Sequence, residues 1–312
     1  MLHKFLASDL LSYVTSQFIR VGGGTSMENN IESDKLDNSI CLIEEMAGRM
    51  REQALKMAYS AGSNGSHLGG GLSMIEILST LYGGILRFDP KNPEWDERDR
   101  FILSKGHGVL AYYTALAEAG FLSSDELLKF EVNGEFLPGH PILNMGKGIE
   151  CSTGSLGMGL PFGAGIALAG KMRKKSYFTY VLVGDGECDE GTIWENAMFA
   201  SHYQLSNLIA IVDHNKLQCD GTCCEIMNLD NFKAKWESFG WEVFEVDGHN
   251  VKQLYLSLSA CSQSLNGKPH VIIANTVKGK GVSFMENNKD WHHSTLSQKQ
   301  YNMAIQEIRS GE

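Results

Sequence analysis

Short apolar runs alternate with amphipathic stretches through the second half of the chain. The runs predict strands at residues 178–184, 208–213, 242–246 and 270–276. The stretches between them predict helices at residues 192–203, 231–239 and 250–263. Strands and helices in this alternation form βαβ units. The pattern therefore predicts an α/β fold, a parallel sheet with helices on both faces, whose ligands bind beyond the carboxyl ends of the strands.

The first half of the chain is more helical and richer in glycine. Apolar residues at intervals of three and four predict a helix over residues 38–61, and residues 62–71 contain too much glycine for a regular element. Ser73, with Glu76 three residues later, predicts a capping box at the start of a helix that runs to about Tyr82. A short strand is predicted at 101–103, and helices at 109–119 and 161–175.

The length of 312 residues suits one large α/β domain, which we expect to cover residues 27–312. Residues 1–26 carry scattered apolar side chains and end shortly after a run of three glycines. They predict a poorly ordered leader, an artificial remnant or a misassigned start upstream of Met27.

Composition narrows the class of protein. A net charge of −10 argues against a general nucleic-acid binder, and no apolar run is long enough to span a membrane. Seven cysteines without a CxxC pair fit a reduced, cytoplasmic setting. Cys219, Cys223 and Cys224 cluster, but no fourth ligand has zinc-like spacing, so zinc is not expected.

The strongest candidate chemistry lies at the ends of two predicted strands. Gly184, Asp185 and Gly186 follow the first strand of the alternation, and Asn215 follows the next one, thirty residues after Asp185. A carboxylate and an amide oxygen at neighbouring strand ends suit a divalent cation such as Mg²⁺, which also binds phosphate oxygens. The two strand ends therefore predict a site that holds a diphosphate through a metal ion.

This spacing resembles that of the thiamine diphosphate enzymes, and further blocks resemble the transketolase family in particular. The matching blocks appear in the family's order over about residues 40–300: SNGSHLGGGLS, RDRFILSKGHG, LPGHP, STGSLGMGL, the block from Gly184, and TVKGKGVSFMENNKDWHH. The resemblance implies the fold that binds the diphosphate side of thiamine diphosphate. It also implies the cofactors thiamine diphosphate and Mg²⁺, or Ca²⁺ or Mn²⁺ in its place.

The resemblance assigns ligands residue by residue. It implies that the metal is bound by Asp185, Asn215 and the backbone carbonyl of Leu217. The residues implied to bind the cofactor are His107, Gly154, Ser155, Leu156, Gly184, Asp185, Gly186, Glu187 and Asn215. The glycines of the 154–157 loop let backbone approach a ligand closely.

Histidines form the second part of the implied site. The resemblance places His67, His107, His140 and His292 along the channel to the thiazolium ring, where imidazole suits hydrogen bonding and proton transfer near neutral pH. The family usually has His-Gly where this chain has His292-His293, so either histidine is a candidate to face the substrate. Glu190 and Glu195 are implied to join a carboxylate network that links paired active sites across a subunit interface.

In the family, the glutamate that activates the cofactor and the arginines that bind the sugar phosphate belong to a second α/β domain. This chain resembles the N-terminal subunit of a split transketolase. The resemblance implies a separate C-terminal transketolase subunit, an α2β2 heterotetramer and sugar phosphate substrates.

The implied function is transfer of a two-carbon ketol unit from a ketose phosphate to an aldose acceptor. One alternative is the α subunit of a 2-oxo acid dehydrogenase, but the SKGHG, PGHP and WHH segments argue against it. A deoxyxylulose phosphate synthase would need both halves in one chain. The remaining alternative is a non-catalytic homologue that keeps the fold. Neither the donor sugar nor the pathway follows from the residues.

Overall fold

The computed structural model describes residues 26–264 and 266–311. Apart from Ser26, the leader predicted over residues 1–26 lies outside the described residues. Five strands form the centre of the fold: β1 Arg100–Leu103, β2 Thr179–Gly184, β3 Leu208–His214, β4 Glu242–Asp247 and β5 His270–Asn275. They make one sheet in the order β1-β2-β3-β5-β4, and every neighbouring pair is parallel. The predicted α/β fold with a parallel sheet is confirmed.

The helices of the first half are α1 Ser26–Ser60, α2 Leu68–Leu72, α3 Ile75–Thr80, α4 Val109–Glu118, α5 Ser124–Leu127 and α6 Gly159–Met172. Those of the second half are α7 Gly191–His202, α8 Cys223–Ile226, α9 Phe232–Ser238, α10 Val251–Gln263 and α11 Gln298–Ser310. Within the described residues, none of these helices has the length and apolar character needed to cross a bilayer.

The sheet is buried on both faces. Successive residues of a strand point to opposite faces, so Val181 and Val183 of β2 join one core cluster while Tyr180 and Leu182 join the other. The cluster that contains Val181 and Val183 packs under α6, α7 and α9. The cluster that contains Tyr180 and Leu182 packs under α1, α3, α4 and α10. The inner strands β2, β3 and β5 are covered in this way and read as largely apolar runs, whereas the edge strand β4 alternates buried and exposed residues towards its end.

Two predictions for the region around residue 70 are wrong. The glycine-rich stretch contains a short helix, α2, whose five residues are all buried, so packing overrides the low helix propensity of glycine. Ser73 does not cap a helix, because its hydroxyl donates to Asp213 Oδ2 at 2.6 Å and α3 begins without a side-chain cap. Glu76 forms ion pairs with Arg51 and His249 instead.

Helix α1 is longer than predicted. It begins at Ser26, whereas the apolar repeat becomes visible only near residue 40. From Asp34 to Ser39 its side chains are exposed or half-buried, so this part of the helix carries no repeat of buried apolar positions. All seven cysteines are free thiols, and the histidines of the predicted site lie in connections around the sheet edge rather than in strands.

Candidate active site

The carboxyl ends of β2 and β3 bring Asp185 and Asn215 to the same edge of the sheet. Gly184 pairs in register with Asp213, so the residues that follow each strand emerge side by side. Asp185 accepts hydrogen bonds from the backbone N–H of Gly186 at 2.8 Å and of Lys216 at 2.5 Å. The second bond links the two strand ends directly.

The third predicted metal ligand lies two residues beyond Asn215. The Leu217 N–H donates to Asn215 Oδ1 at 3.1 Å. The Leu217 carbonyl oxygen accepts a hydrogen bond from Lys278 Nζ at 3.0 Å. The structure therefore brings Asp185, Asn215 and the Leu217 carbonyl into one neighbourhood, an arrangement of one carboxylate, one amide and one carbonyl.

Asp213, near the carboxyl end of β3, has a fully buried carboxylate that contacts several side chains of the site. It forms an ion pair with Lys105, and it accepts hydrogen bonds from Ser73, Thr276 and the side-chain amide of Asn215. Burial alone would raise the pKa of Asp213, but the Lys105 ammonium outweighs burial and the pKa is lowered. The Asp213 carboxylate is therefore favoured in its charged form, and it holds the Asn215 side chain by a hydrogen bond.

Asp185 differs from Asp213 in having no lysine or arginine partner in the part of the chain that the structure describes. Burial, followed by the nearby Asp213 carboxylate, raises the pKa of Asp185. No ion pair among the described residues includes Asp185. A buried carboxylate in this state is stabilised by any cation placed beside it.

Lys278 places a positive charge at the same edge as the Asp185 carboxylate, and the sequence analysis did not identify it as a site residue. Its side chain is buried, and its ammonium donates to the carbonyls of Leu217 and Gln218 and lies 2.9 Å from His292 Nδ1. Burial, then the nearby Lys105, lowers the pKa of Lys278 to about 8. Lys278 follows β5 closely, and a lysine just after a strand at the ligand-binding edge is a signal that the sequence did contain.

Five histidines surround this edge, with His67 at the centre. Its ring centroid lies 5.3 Å from that of His107, 5.7 Å from that of His140, 5.4 Å from that of His292 and 4.6 Å from that of His293. His107 and His292 also contact each other, at 5.3 Å. All five predicted positions therefore form one cluster, with His140 and His293 exposed and the other three partly buried.

An isolated antiparallel bridge explains the closest pair. Ser66 and Ser294 exchange backbone hydrogen bonds of 2.9 and 3.0 Å, which sets His67 directly opposite His293. A Cβ on Gly65 would come within 2.9 Å of the His293 ring, so the glycine makes room for that ring. Both His292 and His293 thus reach His67, His292 from the side of Lys278 and His293 from the exposed side.

The inner histidines are neutral bases. Burial, with the surrounding histidines, lowers the pKa of His67 to about 3. Burial, then Lys278, lowers the pKa of His292 to about 4, and burial, then Lys105, also lowers that of His107. Each ring therefore has one donor and one acceptor nitrogen at neutral pH, which suits contacts to hydroxyl groups.

The loop at residues 154–157 lies beside this cluster. Gly154 has φ +147°, and a Cβ there would lie 3.0 Å from the His140 ring. Ser155 and Leu156 are exposed, while the Gly157 N–H donates to Glu187 Oε1 at 2.8 Å. The loop thus presents exposed residues next to the histidines and is anchored from behind.

The predicted carboxylates divide into buried and exposed groups. Glu187 is buried, and its carboxylate accepts from Ser104, Gly157 and Gly184, while burial raises its pKa. Glu190 and Glu195 are exposed, and no hydrogen bond or ion pair in the described part of the chain joins either to the histidines. The other histidines have structural partners: His214 with Asn275, and His249 with Glu76.

The described residues contain no group of three or more His, Cys, Asp or Glu side chains placed to hold a metal ion. The edge described above has a different composition, since only one of its three predicted ligands belongs to these types. Its donors are all oxygen atoms, the ligands that Mg²⁺ prefers.

Comparison with known proteins agrees with this geometry. Residues 44–309 match the family described as "Transketolase, thiamine diphosphate binding domain". The chain is 41% identical over 266 residues to an apulose-4-phosphate transketolase subunit of Phocaeicola vulgatus, covering 85% of this chain and 93% of that protein. It is 43% identical over 242 residues to "6-deoxy-6-sulfo-D-fructose transketolase subunit SqwG" of Clostridium sp., covering 78% and 88%.

Solved structures agree as well. The fold superimposes on transketolase from Campylobacter jejuni with a TM-score of 0.80 and 30% identity, covering 86% of this chain and 42% of that one. The chain therefore spans less than half the length of this transketolase. The resemblance inferred from the motifs is confirmed, and it favours transketolase over the 2-oxo acid dehydrogenase alternative. The chain belongs to the transketolase family and carries that family's thiamine diphosphate-binding domain.

Proposed function

We propose that this chain is the cofactor-binding subunit of a transketolase, which moves a two-carbon ketol unit from a ketose phosphate to an aldose acceptor. The observation that carries the proposal is a pair of unpaired buried charges at one sheet edge. Asp185 and Lys278 have no ion-pair partner among the described residues, and the five-histidine cluster adjoins them. An anionic diphosphate bound through a cation would neutralise both charges.

The residues fit the metal that the family implies. Asp185, Asn215 and the Leu217 carbonyl are hard oxygen donors on neighbouring strand ends. Mg²⁺ takes few protein ligands of this kind and completes its shell with phosphate oxygens and water, and Ca²⁺ or Mn²⁺ has the same preference for oxygen. We assign the metal to these three groups.

The residues fit the diphosphate too. Lys278 supplies a buried cation next to the metal ligands. Ser155 and Leu156 present exposed groups in the loop that Glu187 anchors, and the glycines at 184 and 186 flank Asp185. We assign Gly154, Ser155, Leu156 and His107 to the cofactor from the histidine side.

When bound, thiamine diphosphate supplies the nucleophilic carbon and the electron sink for carbon–carbon cleavage. The residues of this chain position the cofactor and the sugar, and they form hydrogen bonds with the sugar hydroxyl groups. Neutral rings at His67 and His107 donate a hydrogen bond from one nitrogen and accept one from a sugar hydroxyl at the other. His292, whose Nδ1 faces the Lys278 ammonium, donates to the sugar from Nε2. His140 and His293, which are exposed, contact the sugar nearer the entrance.

We propose a separate partner chain that completes the site. Two relatives that this chain matches over most of their length are named as single subunits of a transketolase, which supports a second chain. The arrangement α2β2 follows from the family resemblance, and exposed Glu190 and Glu195 are assigned to the contact between subunits. The partner would supply the activating glutamate and the groups that bind the sugar phosphate.

The names of the relatives suggest specialised donors. We propose a ketose phosphate or a sulfonated analogue, and the test compares xylulose 5-phosphate, apulose 4-phosphate and 6-deoxy-6-sulfofructose. The purified chain is assayed with Mg²⁺ and thiamine diphosphate, with and without a separately purified C-terminal transketolase subunit. Ketol transfer that needs both chains is expected. Full turnover by this chain alone would contradict the partner, and no turnover with any donor would favour a non-catalytic homologue.

The metal assignment has its own test. Calorimetry with thiamine diphosphate and Mg²⁺ compares the wild type with Asp185→Asn and with the surface variant Asp230→Asn. Loss of a group outside the inner ligand shell commonly weakens a metal site about 10- to 100-fold. The Asp185 variant should lose at least that much affinity, and Asp230→Asn should lose none. Undiminished binding by Asp185→Asn would show that the metal lies elsewhere.

A further inference from the structure

A buried charge network contacts the backbone next to Lys278. Glu76 of α3 forms an ion pair with Arg51 of α1, and its other oxygen lies 2.9 Å from His249 Nδ1. Glu76 is 8% exposed. The pKa of Glu76 is held at about 2, because Arg51 and His249 outweigh the effect of burial.

Both partners of Glu76 extend to one loop, residues 276–281, which we call the Lys278 loop. The Val277 N–H donates to His249 Nε2 at 2.8 Å. That nitrogen is therefore unprotonated, so the proton of the neutral ring lies on Nδ1 and is donated to Glu76. Arg51 Nε donates to the carbonyl of Lys280 at 3.1 Å.

The chain is shaped for these two contacts. Gly281 has φ +89°, and a Cβ there would lie 2.8 Å from Arg51 Cδ. A Cβ on Gly248 would lie 2.4 Å from Thr276 Cγ2, so only glycine lets the segment that carries His249 lie against the loop. Two glycines, from distant parts of the chain, thus permit the close approach.

The two anchored backbone groups stand on either side of Lys278. Between them, the Gly279 N–H donates to the Gly69 carbonyl at 3.0 Å, which ties the loop to the segment that carries His67. From this frame the Lys278 side chain reaches the Leu217 carbonyl and His292. A shift of the Lys278 loop would move the Lys278 ammonium away from the Leu217 carbonyl and from His292.

We propose that Arg51, Glu76 and His249 are positioning residues that hold Lys278 in place for the cofactor diphosphate. None of the three contacts Asp185, Asn215 or Leu217 by a hydrogen bond in the described residues, so they act through the loop. The inference rests on the proposed function, because it needs the diphosphate to bind beside Lys278.

A double-mutant cycle tests the proposal in the full-length chain. His249→Phe keeps a ring but removes both hydrogen bonds, and calorimetry measures its affinity for thiamine diphosphate with Mg²⁺. We expect affinity about 10-fold lower than wild type, which is the usual effect of an outer-shell partner. In a Lys278→Met background the same change should cause no further loss, because the residue through which His249 acts is gone.

Two further variants separate positioning from general stability. Glu150→Gln disrupts another buried ion pair, with Arg98, that has no contact with the Lys278 loop in the described residues. It should lower the melting temperature and leave cofactor affinity unchanged. His249→Gln can restore one hydrogen bond and should recover part of the affinity.

The outcomes are distinct. If His249→Phe binds the cofactor as the wild type does, or loses as much in the Lys278→Met background as in the wild type, the proposal is wrong. If His249→Phe does not fold, Arg51→Lys replaces it in the cycle with the same expected pattern. If the wild-type chain does not bind the cofactor even with the partner subunit present, the proposed function is wrong instead.

Discussion

At the scale of single residues, the site is made of groups whose charge is set by burial. Its histidines were predictable because they lie in glycine-rich segments that matched a family pattern, and the structure gathers all five around His67. Its lysines were not predicted, since a lysine in a sequence reads as a surface residue. Only the fold shows that Lys105 and Lys278 are buried.

The pair of opposed histidines gives the first prediction. His293→Gly, which introduces the residue usual in the family, should raise the pKa of His67 from its value of about 3, because burial and the His293 ring are the two largest causes of that low pKa. NMR titration of the His67 ring measures it. His202→Gly, at the end of α7, serves as the control and should leave His67 unchanged. An identical titration curve in His293→Gly would contradict the coupling.

Lys278 gives a pH dependence. Its pKa of about 8 means that the ammonium is charged below pH 8 and is lost above it. A bound diphosphate favours the charged form, so binding takes up a proton at higher pH and affinity falls as pH rises from 8 to 10. Calorimetry at pH 7.5 and 9.5 measures this fall. Lys278→Met should bind weakly at both pH values, and an equally steep fall in that variant would assign the effect to another group.

At the scale of elements, the sequence predicted strands and helices well where their own residues show the pattern of burial. It predicted poorly where an element depends on residues far away in the sequence. Strands β2, β3 and β5 were predicted because both of their faces are covered and each is a largely apolar run. The edge strand β4 was predicted from alternating apolar and acidic residues. The role of Ser73 was mispredicted because its true partner, Asp213, lies 140 residues away. Helix α2 was missed because its stability comes from surrounding packing rather than from its glycines.

Helix α6 offers a matched pair of glycines. A Cβ on Gly163 would lie 2.4 Å from Val181 Cγ2 of β2, whereas a Cβ on Gly165 would meet nothing within 4 Å. Gly163→Ala should reduce the free energy of unfolding by about 1–3 kcal/mol through overpacking. Gly165→Ala should increase it by about 0.5–1 kcal/mol, because alanine favours a helix. Urea denaturation measures both, and equal effects would contradict the close packing of α6 on the sheet.

At the scale of the whole molecule, a group of exposed apolar side chains lies around the start of α6. Met158 and Phe162 lie four residues apart around the start of α6 and are 52% and 46% exposed, and Leu156 adjoins them at 37%. Apolar side chains grouped in this way mark contact surfaces. The sequence alone could not reveal this face, since exposure depends on how α6 packs on the sheet.

This face gives a prediction about assembly. We expect the purified chain of 34.4 kDa to elute as a dimer through this face, in line with the proposed α2β2 assembly. Phe162→Glu should shift the mass measured by light scattering toward the monomer. Met172→Glu, at the exposed far end of the same helix, should not change the mass. A Phe162→Glu chain with the wild-type mass would place the contact elsewhere.

The strand order also sets constraints on how the chain folds as it is synthesised. Among the described residues the edge strand β1 pairs only with β2, and residues 104–178 lie between them, so β1 has no such partner until the ribosome has passed residue 184. The apolar side of α1 must wait as well, because α10 and α11, which cover part of it, come later still. Such long-range pairing forms slowly, and until it forms the chain exposes apolar surface that is prone to aggregation. Residues 40–103 therefore keep part of their apolar surface exposed until the later elements have been made.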